Sequence, residues 1–161
     1  MIDFMVIGLP RSGTAWLANW FTTERTLCWH ESLMKYRLNE LDAMPHAGYF
    51  GVSETTLCLF SPAAINEHKA KKLIVHRPLN EVNESLSYLD LPAMDWTGPD
   101  NLNQIAGFHI DFKDLFNAEK FRAAHESLMP TAFDGARFAF LRDMNIQNQT
   151  AIAACQEALN G

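Results

Sequence analysis

Basic residues are in short supply. Thirteen Lys and Arg stand against nineteen Asp and Glu, a formal net charge of −6. That balance leaves no basic face to neutralise a nucleic-acid backbone, so nucleic acid is not an expected partner. The densest cationic stretch, Lys69, Lys71 and Lys72, reads as a solvated helix end. Cysteine is scarce as well. Cys28, Cys58 and Cys155 are odd in number and widely spaced, which suits reduced thiols of a cytosolic protein and fits no zinc pattern. His46, His68, His109 and His125 also lack metal-ligand spacing, so no metal is expected. Long apolar runs are missing. The first eight residues carry no basic leader, and their apolar stretch is too short for a signal peptide or a membrane span. The expectation is a cytoplasmic protein without membrane contact, its oligomeric state left open.

What is present suits a folded domain. The chain has 161 residues, 48% of them hydrophobic and 20% charged, which is too apolar for disorder and of a length for one domain over 1–161. Eleven Phe and four Trp supply bulky core side chains. Residues 4–7 form a continuous apolar run ended by Gly8 and Pro10, the mark of a buried parallel strand running into a loop. Trp16, Leu17, Trp20 and Phe21 then repeat at helical spacing. Further strands are expected at 27–29, 52–60, 73–75 and 108–112, where Phe108, Ile110 and Phe112 alternate with polar residues. Helices are expected at 31–41, 62–71, 80–89, 118–128, 134–141 and 147–159, with loops at 45–51 and 91–103. Strands alternating with helices predict an α/β domain, a mainly parallel sheet with flanking helices. In such sheets ligands gather at the carboxyl ends of the strands.

The loop after the first strand is the most informative segment. Gly8 and Gly13 are separated by four residues, as in the first part of the phosphate-binding pattern GxxxxGK[ST], so the expected domain is of the P-loop-containing nucleotide-binding type. Glycines allow a tight turn with inward-facing amides, and the following helix adds the positive end of its dipole. Thr14 stands where that pattern has its lysine, and Ala15 where a hydroxyl would hold magnesium. The loop offers Arg11 instead, whose planar guanidinium suits tetrahedral oxyanions.

The segment Val6-Ile7-Gly8-Leu9-Pro10-Arg11-Ser12-Gly13-Thr14-Ala15-Trp16-Leu17 resembles the 5′-phosphosulfate loop of the sulfotransferase family, with Ala15 its one departure. The segment from Leu73 to Leu86 is similar to a second family element, in which an arginine after a strand and a serine eight residues later hold the donor's 3′-phosphate; the matching residues are Arg77 and Ser85. The stretch from Phe108 to Leu115 also resembles a family strand that ends in an acidic residue and Asp-Leu. The resemblance covers residues 1 to about 130, with gaps, and suggests a short member of bacterial or phage type. A C-terminal Gly- and Lys-rich segment, which many cytosolic members use to cover the 3′-phosphate, is missing.

The resemblance implies 3′-phosphoadenosine 5′-phosphosulfate as donor substrate, bound by Gly8, Pro10, Arg11, Ser12, Gly13, Thr14, Ala15, Arg77 and Ser85. It implies a sulfuryl transfer to a hydroxyl or amine acceptor of unknown identity, with Arg11 stabilising the leaving phosphate and no metal required. Family members that act on protein tyrosines place a catalytic glutamate at a similar distance past the loop. Glu31 matches it, with His30 as the other candidate base. Neighbours on extended chain point to opposite faces, so only one of the two is expected in the site. Two other readings stand beside this one: a P-loop small-molecule kinase, against which Thr14 and Ala15 count, and a nucleotide-binding module without turnover.

Overall fold

The computed structural model describes residues 1–94, 98–144 and 146. Five strands, β1 (Phe4–Gly8), β2 (Thr26–His30), β3 (Tyr49–Glu54), β4 (Lys71–His76) and β5 (Phe108–Asp111), form one sheet in the order β2-β3-β1-β4-β5. Every pairing is parallel. The helices are α1 (Thr14–Phe21), α2 (Leu38–Ala43), α3 (Pro62–Glu67), α4 (Leu79–Ser87), α5 (Gly98–Asn103), α6 (Ala118–Leu128) and α7 (Gly135–Arg142). The α/β fold with flanking helices is the one the alternation of apolar runs predicts. No helix among the described residues is long and apolar enough to cross a membrane.

β1 is central and buried along its whole length, which is why it reads as an unbroken apolar run. Phe4 and Val6 face one side, where they pack with α1, α6 and α7. Met5 and Ile7 face the other and join the core formed with α2, α3 and α4. The first side is aromatic. Trp16 and Trp20 lie nearly parallel with ring centroids 6.0 Å apart, and Phe121 meets both edge-on at 5.2 Å. His125 belongs to this core: its Nδ1 accepts from Trp20 Nε1 at 3.1 Å, so its Nε2 donates to the Thr131 carbonyl at 2.9 Å. Both ring nitrogens are satisfied, and that allows this histidine to be buried.

Several boundaries depart from the periodicity. The single helix expected at 31–41 is a 3₁₀ turn, Ser32–Met34, followed after a break by α2. The strand expected at 52–60 begins earlier and ends at Glu54, giving way to a 3₁₀ turn, Thr56–Leu59. Gly51, which reads as loop, lies inside that strand because a Cβ there would sit 2.3 Å from the ring of Phe4. The loop expected at 91–103 contains α5, anchored by Leu102 in the core. The strand alternation through Phe112 stops at Asp111, where a 3₁₀ turn takes over. The helix expected at 147–159 and Cys155 lie outside the described residues, while Cys28 and Cys58 are buried free thiols.

Topology places the site. The connection after β1 leads through α1 toward β2, and the connection after β4 leads through α4 toward β5. Adjacent strands whose loops leave in opposite directions open a crevice at their carboxyl ends. α1 packs on one face of the sheet and α4 on the other, so Gly8–Thr14 and His76–Arg77 border one crevice.

Candidate functional site at the carboxyl edge of the sheet

The phosphate-type loop runs from Gly8, the last residue of β1, to Thr14, the first of α1. Two residues in it have left-handed backbone: Gly13 with φ 81° and Arg11 with φ 66°. Glycine adopts this freely, whereas arginine pays about 1–2 kcal/mol for it. Two contacts hold Arg11 there. Its Nε donates to Ser85 Oγ on α4 at 3.0 Å, and Arg77 Nη1 donates to its carbonyl oxygen. Ser12 is wholly buried, and its Oγ has no partner among the described residues. A buried hydroxyl left unpaired at the start of a helix is a donor waiting for an oxyanion.

Arg77 is gripped from three sides. Besides the Arg11 carbonyl, it has Glu81 3.6 Å from its Nε and the Phe112 ring 4.2 Å below its guanidinium carbon. Burial, together with the charge of Arg77, pulls Arg11 below the usual guanidinium value. Two cations brought this close favour an anion between them. The sequence pairs Ser85 with Arg77; the structure brings Ser85 to Arg11 instead. All three residues still converge, because α4 carries Ser85 back over the loop. Pro10 and Ala15 flank the turn, half-buried. Arg137 and Arg142 are engaged elsewhere. Arg137 donates to the carbonyls of Asn19 and Thr22 at the far end of α1, and Arg142 pairs with Asp143.

A second cluster lies beyond β1, at the ends of β2 and β3. His30 ends β2, with its Nε2 3.1 Å from Thr14 Oγ1 of the loop and 3.6 Å from Glu31 Oε1. Both side chains therefore share one pocket, contrary to the alternation expected of extended chain. The reason is backbone: Glu31 has φ 54°, so the strand has already turned when its side chain leaves. Glu31 Oε1 accepts from Thr55 N at 3.2 Å and Thr55 Oγ1 at 2.8 Å. Burial raises the Glu31 carboxyl above its ordinary value, and the two bonds from Thr55 oppose that rise. Burial alone pushes His30 down to about 4, so its imidazole is neutral at pH 7.

Glu54, the last residue of β3, completes the cluster and is absent from the sequence-based candidates. It is wholly buried, and its Oε1 accepts from Ser32 Oγ and from Leu33 N at 3.2 Å. Burial first, then the charge of Glu31, lifts it to about 7. A carboxylate inside an expected buried strand is the signal that would have found it. On the opposite flank, His76 and His109 meet Nε2 to Nδ1 at 2.7 Å beside Asp111, Asp114 and Lys120. His109 Nε2 is 2.9 Å from the Ile105 carbonyl, so it carries a proton and Nδ1 accepts from His76. Among the described residues no group of three or more side chains is arranged to hold a metal.

No protein-family model matches the chain, and no curated protein matches it in sequence. A solved structure does match: the crystal structure of mouse sulfotransferase SULT7A1 complexed with PAP, at a TM-score of 0.58 and 13% identity. The match covers 88% of this chain and 63% of that one, so this chain spans less than two thirds of the mouse protein's length. The chain has a sulfotransferase-like fold.

Proposed function

We propose that this chain is a sulfotransferase-like enzyme that moves a sulfuryl group from 3′-phosphoadenosine 5′-phosphosulfate to a hydroxyl or amine acceptor. The observation that carries the reading is the junction of Arg11 and Ser85, 74 residues apart in sequence and 3.0 Å apart in space, with Arg77 bonded to the same loop. Two sequence elements of one resemblance thus close on a single crevice. The fold shared with a PAP-bound sulfotransferase points the same way.

In this reading the loop amides, Ser12 and Thr14 hold the 5′-phosphosulfate, and Arg77 with Ser85 holds the 3′-phosphate. The acceptor oxygen or nitrogen forms a bond to sulfur as the bond from sulfur to the 5′-phosphate oxygen breaks. The electron pair of that bond stays on the phosphate, where Arg11 stabilises it. The acceptor's proton passes to Glu31. Of the two candidate bases Glu31 is favoured, because burial moves its carboxyl toward the working pH while it moves His30 away. Adjacent to Thr14 and neutral, His30 orients the loop hydroxyl.

The test is calorimetry in the presence of a chelator. Adenosine 3′,5′-bisphosphate is expected to bind without metal and more tightly than ATP. Tighter, magnesium-dependent ATP binding would select the kinase reading. Bisphosphate binding without transfer to any of a broad acceptor panel would select the non-catalytic module, for which Ala15 is the favouring observation.

A further inference from the structure

Three consecutive residues at the end of β3 hold the Glu31 segment at three different places. The Ser53 carbonyl accepts from Glu31 N at 3.1 Å. Glu54 Oε1 takes the Ser32 hydroxyl and the Leu33 amide, the two residues after Glu31. Thr55 donates from both its amide and its hydroxyl to the Glu31 carboxylate. Ser53 also donates from its hydroxyl to the Thr14 carbonyl at 2.8 Å, tying the same strand end to the phosphate loop. Between them these bonds fix the amide, the following turn and the side chain of one residue.

Glu54 is the costly member. Among the described residues no cation bonds it, and its Oε2 is buried without a partner. A buried carboxylate without a counter-charge is expensive, and a leucine here would fill the space without that penalty. The site keeps an acceptor at this position nonetheless. Both of its bonds go to the turn that follows the left-handed Glu31, a conformation that is costly for a non-glycine residue.

Resting on the sulfotransferase reading, we propose that Glu54 is a positioning residue for sulfuryl transfer: through Ser32 and Leu33 its carboxyl holds the left-handed turn that presents Glu31 to the phosphate loop. Burial raises this carboxyl to about 7, so its neutral form is well populated near neutral pH. Glutamine should therefore replace it and leucine should not.

The experiment compares Glu54→Leu, Glu54→Gln and Ser32→Ala in the full chain. It uses amide exchange at Leu33, calorimetry with adenosine 3′,5′-bisphosphate, and single-turnover sulfate transfer to an acceptor found by screening. In Glu54→Leu, Leu33 exchange should accelerate by about tenfold or more while β1 and β4 amides keep their protection. Transfer should fall about 10- to 100-fold, the cost of a misplaced group, with bisphosphate affinity unchanged. Glu54→Gln should restore both readouts, and Ser32→Ala should show a smaller loss of each. Unchanged Leu33 exchange in Glu54→Leu, or a Glu54→Gln variant as slow as Glu54→Leu, overturns the proposal. If Glu54→Leu does not fold, Ser32→Ala decides by the same two readouts. Wild-type protein that binds no bisphosphate sinks the sulfotransferase reading, whereas intact bisphosphate binding with unaltered Leu33 exchange sinks only the role of Glu54.

Discussion

The two halves of the site are built in different ways. The cationic half, at the ends of β1 and β4, is a contiguous loop plus an arginine and a serine from the next βα unit. Its charges are permanent, and they are tied together by the bonds from Arg77 to the Arg11 carbonyl and from Arg11 to Ser85. The acidic half, at the ends of β2 and β3, has no contiguous motif. It arises where the ends of two neighbouring strands meet, Glu31 and Ser32 from one and Ser53, Glu54 and Thr55 from the other. Burial raises both of its carboxyl groups above their ordinary values. The first half is suited to holding fixed anionic charge and the second to accepting a proton, so the two should respond differently to mutation and to pH.

The sharpest test of that division removes basicity alone. Glu31→Gln keeps size and most hydrogen bonding, and should lower single-turnover transfer about 10²–10⁴-fold while bisphosphate affinity stays near wild type. His30→Gln should change the rate little. A large loss in His30→Gln with normal Glu31→Gln would reverse the assignment. In wild type the rate should fall on the acid side as Glu31 takes up its proton, at a pH above the ordinary carboxylate value because burial raises this group.

Next in size is Arg11→Ala. Loss of a group that stabilises the departing phosphate should reduce transfer about 10²–10³-fold. Unlike Glu31→Gln, it should also weaken bisphosphate binding, because the bond to Ser85 and part of the loop's geometry go with it. A variant that loses rate yet keeps full affinity would show that Arg11 does not touch the ground-state nucleotide.

Arg77→Ala should act on affinity. Loss of a charge-assisted contact costs about 1.5–3 kcal/mol, or roughly 10- to 150-fold. The loss should be larger for adenosine 3′,5′-bisphosphate than for adenosine 5′-phosphate. Equal losses for the two nucleotides would mean that Arg77 serves only to brace the Arg11 carbonyl.

The smallest effect is on stability and belongs to the acidic half alone. Glu54 is raised from 4.5 to about 7, so its neutral form favours the folded state. That contribution is complete below about pH 4.5 and is lost as pH rises through about 7. Glu54→Gln should therefore match wild type in denaturant melts at pH 5 and exceed it at pH 8, by on the order of 2–3 kcal/mol. Arg11→Ala and Arg77→Ala should show no such pH-dependent gain, since guanidinium does not titrate there.

The same contrast governs how much was legible in the sequence. Gly8, Arg11, Ser12, Gly13 and Thr14 lie within seven residues, so local backbone rules and side-chain chemistry sufficed to read them. Arg77 and Ser85 came into view through the family resemblance and not through local rules, and which arginine reaches Ser85 was not legible. Glu31 and His30 were visible as residues, but their relation was read the wrong way round, because a single left-handed φ undoes strand alternation and nothing in the residue type announces it. Glu54 was passed over altogether.

Periodicity determined the α/β class, the burial of β1 and the apolar face of α1, because burial on one or two sides writes itself into local spacing. The spacing of Gly8 and Gly13 around Arg11 carried the expectation of a loop for oxyanions. Tertiary structure decided everything that depends on which strands lie side by side. The order β2-β3-β1-β4-β5 brings Ser53, Glu54 and Thr55 against Glu31 and sets Arg11 beside Ser85. Strand order follows from how two cores pack across a whole sheet, a balance no local window contains, so the acidic half of the site became visible only once the chain was folded.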